Sequence, residues 1–453
     1  MLRKNDIVTG AVIEGYTSAG MGVARVDGQA VFVQGALRGE RCDIKILKAG
    51  KTAVYAKIEA LAERSEHRTE PVCPVYRTCG GCSLMHMDYE EELRFKRERV
   101  ESAFRRIGGL DLSLDRVTGA EDCLGYRNKT IYNVSSADGR AVTGFYRPRS
   151  HDVVPVERCV IQAGYSDRAA AAVRRWMDEN GVPAYDEHTG KGSVRRVFCR
   201  YGFRTGEGQV TVVSASEKLK NTDGLVAGIR GACPETVSIV LNVNKTTGNT
   251  VLAGDFSVLW GKEQITDELC GLKFALSPRS FYQINRDQAE RLYDKAVEYA
   301  GLSGKETVLD LYCGTGTITL CMARAAGHVI GAEIVEAAVS DAKRNAAENC
   351  VYNAEFICAD ASQAAESLRK QGLRPDVVVV DPPRKGLDSS VIRTVAEMTP
   401  DRIVYVSCDP ATLSRDLALF AELDYTARRA EAFDLFPRTS HVETVVLMSR
   451  EKG

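Results

Sequence analysis

The feature that most constrains the fold lies in the second half of the chain. From about residue 275, apolar strand patterns alternate with helical ones. Thr307–Leu311, His328–Glu333, Ala354–Cys358, Asp376–Val380, Arg402–Ser407 and Glu443–Met448 read as strands, and segments such as Ile318–Ala326 and Ala337–Asn349 read as helices between them. Strands linked through helices predict a parallel sheet covered by helices. Ligands bind such sheets outside the carboxyl ends of the strands. The residues at those ends are therefore the first candidates for chemistry.

The first strand leads into Leu309-Asp310-Leu311-Tyr312-Cys313-Gly314-Thr315-Gly316-Thr317, a glycine turn that opens a helix. Glycine lets backbone approach a ligand closely. Glu333 ends the next strand, where a carboxylate can accept hydrogen bonds from ribose hydroxyls. Asp360 follows the third strand and can meet an adenine edge. Position 319 is threonine, so the full pyrophosphate fingerprint is missing and a dinucleotide is disfavoured. S-adenosylmethionine, which has no phosphate, suits the shorter turn. Further along, Asp381-Pro382-Pro383-Arg384 ends the fourth strand and Ser407-Cys408-Asp409-Pro410 ends the fifth. Cys408 is thus a thiol at the edge that holds the cofactor turn.

At 453 residues the chain is long enough for two or three domains. Residues 1–60 carry five short strand patterns, Val8–Ile13, Gly22–Val26, Ala30–Val33, Arg41–Leu47 and Ala53–Ala60, separated by turns such as Asp27-Gly28. Five short strands in so few residues fit an OB-like barrel. Residues 70–270 form a central α+β region, with a charged helix over 89–107, which can pack on the next domain, and another over Asp167–Asn180; residues 275–453 are the α/β domain. No segment reaches the roughly 20 apolar residues of a membrane helix. The N-terminus has no signal-peptide pattern, so a cytoplasmic protein with no membrane partner is expected.

Fourteen cysteines without a secretion signal do not suggest a disulfide framework. Cys199, Cys233, Cys321 and Cys350 read as small core residues. Cys73, Cys79 and Cys82 lie close together around Gly80-Gly81 and can chelate one centre; four thiolates would suit zinc or an iron–sulfur cluster equally. The net charge of −1 does not announce a nucleic-acid binder, but charge is uneven. Residues 94–106 hold six Lys/Arg against two Asp/Glu, and residues 126–149 hold five against one. Such patches can meet phosphates or be ordinary solvated surface. Tyr126, Tyr132, Phe145 and Tyr146, interleaved with Arg127, Lys129 and Arg147, can stack on bases or be core strand aromatics.

The chain resembles the RNA uracil-5-methyltransferases of the class that carries a TRAM domain and an iron–sulfur cluster and acts on 23S ribosomal RNA. The likeness runs along nearly the whole chain. It includes the barrel, Cys73-x5-Cys79-Gly80-Gly81-Cys82, Gly125-Tyr126-Arg127-Asn128-Lys129, Gly144-Phe145-Tyr146, Cys159-Val160-Ile161-Gln162 and Ser280-Phe281-Tyr282-Gln283-Ile284-Asn285. It continues through the glycine turn, Asp381-Pro382-Pro383-Arg384, Ser407-Cys408-Asp409-Pro410 and His441-Val442-Glu443-Thr444.

The resemblance implies a TRAM barrel, a central domain with a [4Fe–4S] cluster on Cys73, Cys79, Cys82 and Cys159, and a Rossmann-like methyltransferase domain. Cys123 is a spare ligand ranked below Cys159. Gln283, Tyr312, Thr317, Glu333, Asp360 and Asp381 are expected around S-adenosylmethionine; the family often has Phe and Asn where Tyr312 and Thr317 stand. The chemistry explains the thiol. Uracil C5 is a poor nucleophile until a thiolate adds at C6 and makes the ring an enolate. A base must then remove the C5 proton so that the thiol can leave. Cys408 is expected as nucleophile and Glu443 as base. The substrate is expected to be a flipped-out uridine of 23S rRNA, since C6 is hidden within a stack, and the enzyme to be a monomer. The rivals are a tRNA uracil-5-methyltransferase and a non-catalytic iron–sulfur RNA-binding protein.

Overall fold

The computed structural model describes residues 2–50, 53–246, 248 and 250–450. Strands β1 (Ile7–Tyr16), β2 (Gly22–Val26), β3 (Gln29–Gln34), β4 (Arg41–Ala49) and β5 (Val54–Glu63) close into a barrel in the order β1-β2-β3-β5-β4. Alternation drives it. Ala24, Val31, Val33, Cys42, Ile44, Ile46, Val54 and Ala56 point inward with no exposure, while their neighbours face water. The barrel sits against helix α1 (Tyr89–Arg106): the Tyr16 hydroxyl donates to Glu91 Oε1 at 2.7 Å, and Arg38 grips Glu98 through two nitrogens at 2.8 and 2.6 Å.

Helix α1 starts at Asp88, whose side chain accepts from the Glu91 amide. Three glutamates in its first turn and two arginines in its last match the helix dipole. Its Val100 and Phe104 are buried in the core of the C-terminal sheet, beside Leu413, Leu417 and Phe420. A short strand β6 (Val117–Thr118) follows.

Next comes a seven-stranded sheet made of β7 (Lys129–Ala137), β8 (Arg140–Tyr146), β9 (Val153–Pro155), β10 (Val194–Tyr201), β11 (Gly208–Ser214), β12 (Thr236–Val243) and β13 (Asp255–Gly261). Its order is β13-β12-β11-β10-β7-β8-β9, and only β11 and β12 run parallel. Helices α2 (Gly164–Asn180) and α3 (Thr222–Ala232) cover one face through Ala169, Val173, Trp176, Leu225 and Ile229. The hairpin β14 (Ile265–Leu269) and β15 (Leu272–Leu276) then caps the C-terminal core with Ile265, Leu269 and Phe274.

The last part alternates as α4 (Arg286–Ala300), β16 (Thr307–Leu311), α5 (Thr317–Ala323), β17 (His328–Glu333), α6 (Glu336–Glu348), β18 (Ala354–Cys358), α7 (Ala361–Lys370), β19 (Val377–Val380), α8 (Ser389–Glu397), β20 (Arg402–Ser407), α9 (Pro410–Ala421), β21 (Tyr425–Phe433) and β22 (Glu443–Arg450). The sheet order is β18-β17-β16-β19-β20-β22-β21-β6. Strands β18 to β20 are parallel, as the alternation predicts. Their four consecutive valines, Val377 to Val380, have no exposure, and each contributes about 1.5–3 kcal/mol of burial.

The far end departs from the expectation of a purely parallel sheet. Strand β22 is antiparallel to β20 and β21, and β6, from far earlier in the chain, pairs with β21. The antiparallel turn has a functional consequence: it brings the first residue of β22 to the edge where β16 to β20 end. Among the described residues no helix is long and apolar enough to cross a membrane. One cysteine reading is corrected. Cys199, Cys233 and Cys321 are buried, but Cys350 is exposed, because it follows α6 in a left-handed conformation (φ 54°) that turns it to solvent.

Candidate active site

Strand ends place the candidate residues along one edge: Tyr312 after β16, Glu333 at the end of β17, Asp360 after β18, Asp381 after β19 and Cys408 after β20. The gap between β16 and β19, where the strand order reverses, is the topological switch point.

The glycine turn is shaped for close approach. A Cβ on Gly314 (φ +55°) would meet nothing within 4 Å, so that side of the turn is open. A Cβ on Gly316 (φ +84°) would press on Phe356 and Ala342 at 3.1–3.2 Å. The Tyr312 backbone is also left-handed (φ 71°), a conformation that costs a non-glycine residue about 1–3 kcal/mol and is held here by amide donation from Tyr312 and Cys313 to Ala332 O, both at 3.0 Å. Glu333 is fixed from both sides. Its Oε2 accepts from the Gly314 amide at 3.1 Å and its Oε1 from the Val335 amide at 2.9 Å. Beside it Ile334 is 64% exposed, an apolar side chain at a strand end that can lie against a flat ring and that the sequence reading missed.

Asp360 is already in use as the N-cap of α7: its Oδ1 accepts from the Ser362 amide at 2.9 Å. Thr317 opens α5 and its hydroxyl lies 3.3 Å from that of Tyr293. Gln283 is buried; its backbone oxygen accepts from Asn128 Nδ2 at 2.8 Å. Asp310, behind the turn, is fully buried, accepts from Thr319 Oγ1 at 2.5 Å, and is pushed up to about 7 by burial.

Cys408 sits between strand and helix. Asp409 caps α9 by accepting from the Ala411 and Thr412 amides at 2.9 and 3.0 Å, and Pro410 opens the helix with a pre-set φ. This cap fixes the half-buried thiol. Ser407 pairs with Thr444, the last pair between β20 and β22; one step further puts Cys408 opposite Glu443. Burial raises the Cys408 thiol to about 11, with Glu443 and Asp381 adding to the rise and Arg384 opposing it. Glu443 is raised to about 8 by burial and by Asp381, and Asp381 to about 7 by burial. Three proton-holding groups thus crowd one spot: Asp381 and Glu443 disfavour charge on Cys408, and Asp381 disfavours it on Glu443.

Cations ring that spot. Arg384 is exposed beside Cys408, and Arg99 reaches over from α1 to donate to Ser440 O. The His441 imidazole is lowered to about 4 by burial and by Arg384, Arg99, Lys96 and Arg127. The signal for Arg99 was its place in the basic stretch 94–106; nothing local marked it apart from its neighbours.

Cys73, Cys79, Cys82 and Cys159 line one cavity of 170 Å³ with Val75, Tyr76, Arg127, Phe145, Val156, Val160 and Ile161. None is in a disulfide. The Gly81 amide donates to Cys79 Sγ at 3.3 Å. Burial raises Cys82 to about 12 and Cys159 to about 11, and the neighbouring cysteines add to it. Cys123 does not line the cavity; it lies by Tyr89, Glu92, Asp434 and Arg438. Among the described residues, no group of three or more His, Cys, Asp or Glu side chains is drawn together tightly enough to hold a metal ion.

Of the two readings left open for the aromatics of residues 126–149, core packing holds for Tyr126 and Tyr132. Tyr126 and Tyr132 are core: the Tyr126 hydroxyl donates to Pro437 O at 3.1 Å and Tyr132 donates to Asp167. Phe145 packs on Tyr132 at 5.1 Å, and Tyr146 on His151 at 5.1 Å. The exposed ring near the cofactor turn is Phe281, 61% exposed, with Lys129 Nζ 6.0 Å from its centre.

A switch-point cofactor turn, with a thiol and a carboxyl facing each other at the same edge, defines a methyltransferase domain joined to an N-terminal barrel. Residues 262–451 match the tRNA (uracil-5-)-methyltransferase family and residues 11–58 the TRAM domain. The chain is 43% identical over 448 residues to an RNA methyltransferase of Halalkalibacterium halodurans, covering 99% of this chain and 98% of that one. It is 41% identical over 437 residues to an RNA methyltransferase of Clostridium tetani, covering 96% and 95%. The crystal structure of Pyrococcus abyssi tRNA (uracil-54, C5)-methyltransferase in complex with S-adenosyl-L-homocysteine matches with a TM-score of 0.78 at 27% identity, covering 97% of this chain and 100% of that one. The chain belongs to the RNA (uracil-5-)-methyltransferase family.

Proposed function

We propose that this protein transfers a methyl group from S-adenosylmethionine to C5 of a flipped-out uridine in 23S rRNA, through a covalent bond between Cys408 and C6. The observation that carries the reading is the Cys408–Glu443 pair at the edge that holds the glycine turn. The Cys408 thiol, its proton lost, adds to C6 as thiolate and the ring becomes an enolate; C5 takes the methyl as its bond to the sulfonium sulfur breaks and the neutral thioether leaves; Glu443 removes the C5 proton; the electron pair returns to the ring, and the Cys408 sulfur–C6 bond breaks to restore the thiolate. A base held near pH 8 is better matched to neutral conditions than an ordinary carboxylate. Glu333, Ile334, Gly314, Tyr312, Thr317, Gln283, Asp360 and Asp381 surround the cofactor in this reading. The cofactor supplies the methyl and a sulfonium charge that favours ionised Asp381, Glu443 and Cys408. Arg384, Arg99 and Lys129 stand where the RNA backbone would approach.

The four cysteines are proposed to hold a [4Fe–4S] cluster. Their fit rests on the donor set: four half-buried thiols around one mostly apolar cavity, with Arg127 the cation among its lining residues to offset thiolate charge. Positive iron would repay the ionisation that burial opposes. A cavity separating the sulfurs suits a polynuclear centre rather than one zinc ion. The cluster is given a structural role, closed by protein ligands.

A tRNA substrate is the second reading, favoured by the whole-length match to a tRNA enzyme, which also means that the barrel does not separate the two substrates. Labelled methyl transfer to unmodified 23S rRNA and to unmodified tRNA, followed by mapping of 5-methyluridine, decides. Label in 23S rRNA alone supports the first reading; label in tRNA alone replaces it. No label in either, with RNA still bound, favours a non-catalytic RNA-binding protein.

A further inference from the structure

The segment from Asp434 to Val442 leaves β21 and returns as β22, delivering Glu443 to the edge; Phe433 and Glu443, on either side of it, are in register. It is gripped from two directions. On one side is the cysteine loop: the Ser83 and Leu84 amides donate to Arg438 O at 2.9 and 3.1 Å, and the Ser440 amide donates to Ser83 Oγ at 3.2 Å. On the other is α1. The Arg438 amide donates to Glu92 Oε1 at 2.7 Å, and the Tyr89 hydroxyl donates to Asp434 Oδ2 at 2.9 Å.

Between them lies a lysine with no exposure. Lys96 Nζ is 2.7 Å from Glu92 Oε1 and 2.6 Å from Asp434 Oδ1, both carboxylates equally buried, and it also donates to Phe436 O at 3.4 Å. Arg438, 3.4 Å from Glu92, completes two cations against two anions. Its left-handed backbone (φ 69°) persists only because these contacts hold it. A buried ionic network of this sort contributes little net stability; its consequence is a unique geometry.

We propose that Lys96 is a positioning residue for Glu443: it clamps the Asp434–Val442 segment between α1 and the cysteine loop and so sets where the Glu443 carboxyl stands. The inference rests on Glu443 being the base. Cys408 and Asp381 are carried by other elements, after β20 and β19, and among the described residues neither hydrogen-bonds to nor ion-pairs with Lys96, so the clamp acts first on the position of Glu443. Loosening it slows removal of the C5 proton, and the adduct accumulates with C5 bearing both methyl and proton. Displacing a reacting group by about 1 Å can cost on the order of 100-fold in rate.

The test uses the full-length protein, an unmodified RNA substrate and methyl-labelled S-adenosylmethionine, with turnover and protein-bound label on denaturing gels as the two readouts. Glu443→Gln is the control. Lys96→Met is expected to lower turnover at least tenfold while trapping label on the protein, and Tyr89→Phe to do the same more weakly. A folded Lys96→Met that loses turnover without trapping label, or keeps wild-type turnover, overturns the inference. If Lys96→Met does not fold, Tyr89→Phe decides: wild-type turnover with no trapped label overturns it. A Glu443→Gln protein that turns over normally removes the base role itself, a distinct result that also ends the inference.

Discussion

Ser407 and Thr444 are the last paired residues of β20 and β22; carrying their register one step further sets Cys408 across from Glu443, whose carboxyl acts electrostatically on the thiol. Neighbouring strands lie about 4.8 Å apart, so the proposed nucleophile and the proposed base are held to the two sides of one small space. Because β22 runs against β20, the start of one strand meets the end of the other. Had β22 been parallel, Glu443 would lie at the opposite edge of the sheet.

Glu443→Gln is expected to leave methyl transfer able to occur once and to stall elimination, so a protein–RNA adduct accumulates on denaturing gels. Normal turnover with no adduct would remove Glu443 from the reaction.

The same substitution has a signature in stability. Burial raises Glu443 to about 8, whereas an unfolded chain releases this proton near about 4.3. The folded state therefore holds an extra proton between those values, and the stability this group allows is full below about pH 4 and is lost as pH rises through about 8. Melting of Glu443→Gln against wild type is expected to coincide at low pH and to show the variant higher by about 2 °C or more at pH 8.5. A difference independent of pH would contradict the assigned protonation.

Glu333 spends one lone pair on each of two backbone amides, Gly314 and Val335, and retains others for the ligand. Glu333→Ala is expected to weaken S-adenosylhomocysteine binding by about 1.5–3 kcal/mol, roughly 10- to 150-fold, by calorimetry. Unchanged affinity would place the ribose elsewhere.

Cys82→Ser removes a thiol from the wall of the 170 Å³ cavity. Iron and acid-labile sulfide are expected in the anaerobically purified wild type and to fall sharply in the variant. Stoichiometric zinc in place of iron would replace the cluster.

Much of this was legible before the fold was known, because strand–helix alternation fixes which residues reach the sheet edge. The bounds of β16, β17, β18 and β20 follow directly from apolar runs stopped by polar or glycine residues. What was not legible depended on distant partners. Strand β21 carries Arg428, Arg429 and Glu431 among its apolar residues and pairs with β6 from far upstream. Whether Tyr126 and Tyr132 stack on bases or pack in the core stayed open, because composition does not say which face of a strand is covered. Lys96 looked like one basic residue of a solvated helix; only the return of the Asp434 segment onto α1 buries it.

The central claim is the bond between Cys408 and uracil C6. Substrate RNA carrying 5-fluorouridine at the target, incubated with S-adenosylmethionine, tests it most directly, since fluorine at C5 leaves the base no proton to remove and traps the adduct. Digestion and mass spectrometry are expected to find the methylated, fluorinated nucleotide on the peptide containing Cys408, and no adduct with Cys408→Ala. Efficient methylation of ordinary RNA by Cys408→Ala, or an adduct on any other residue, would contradict the account.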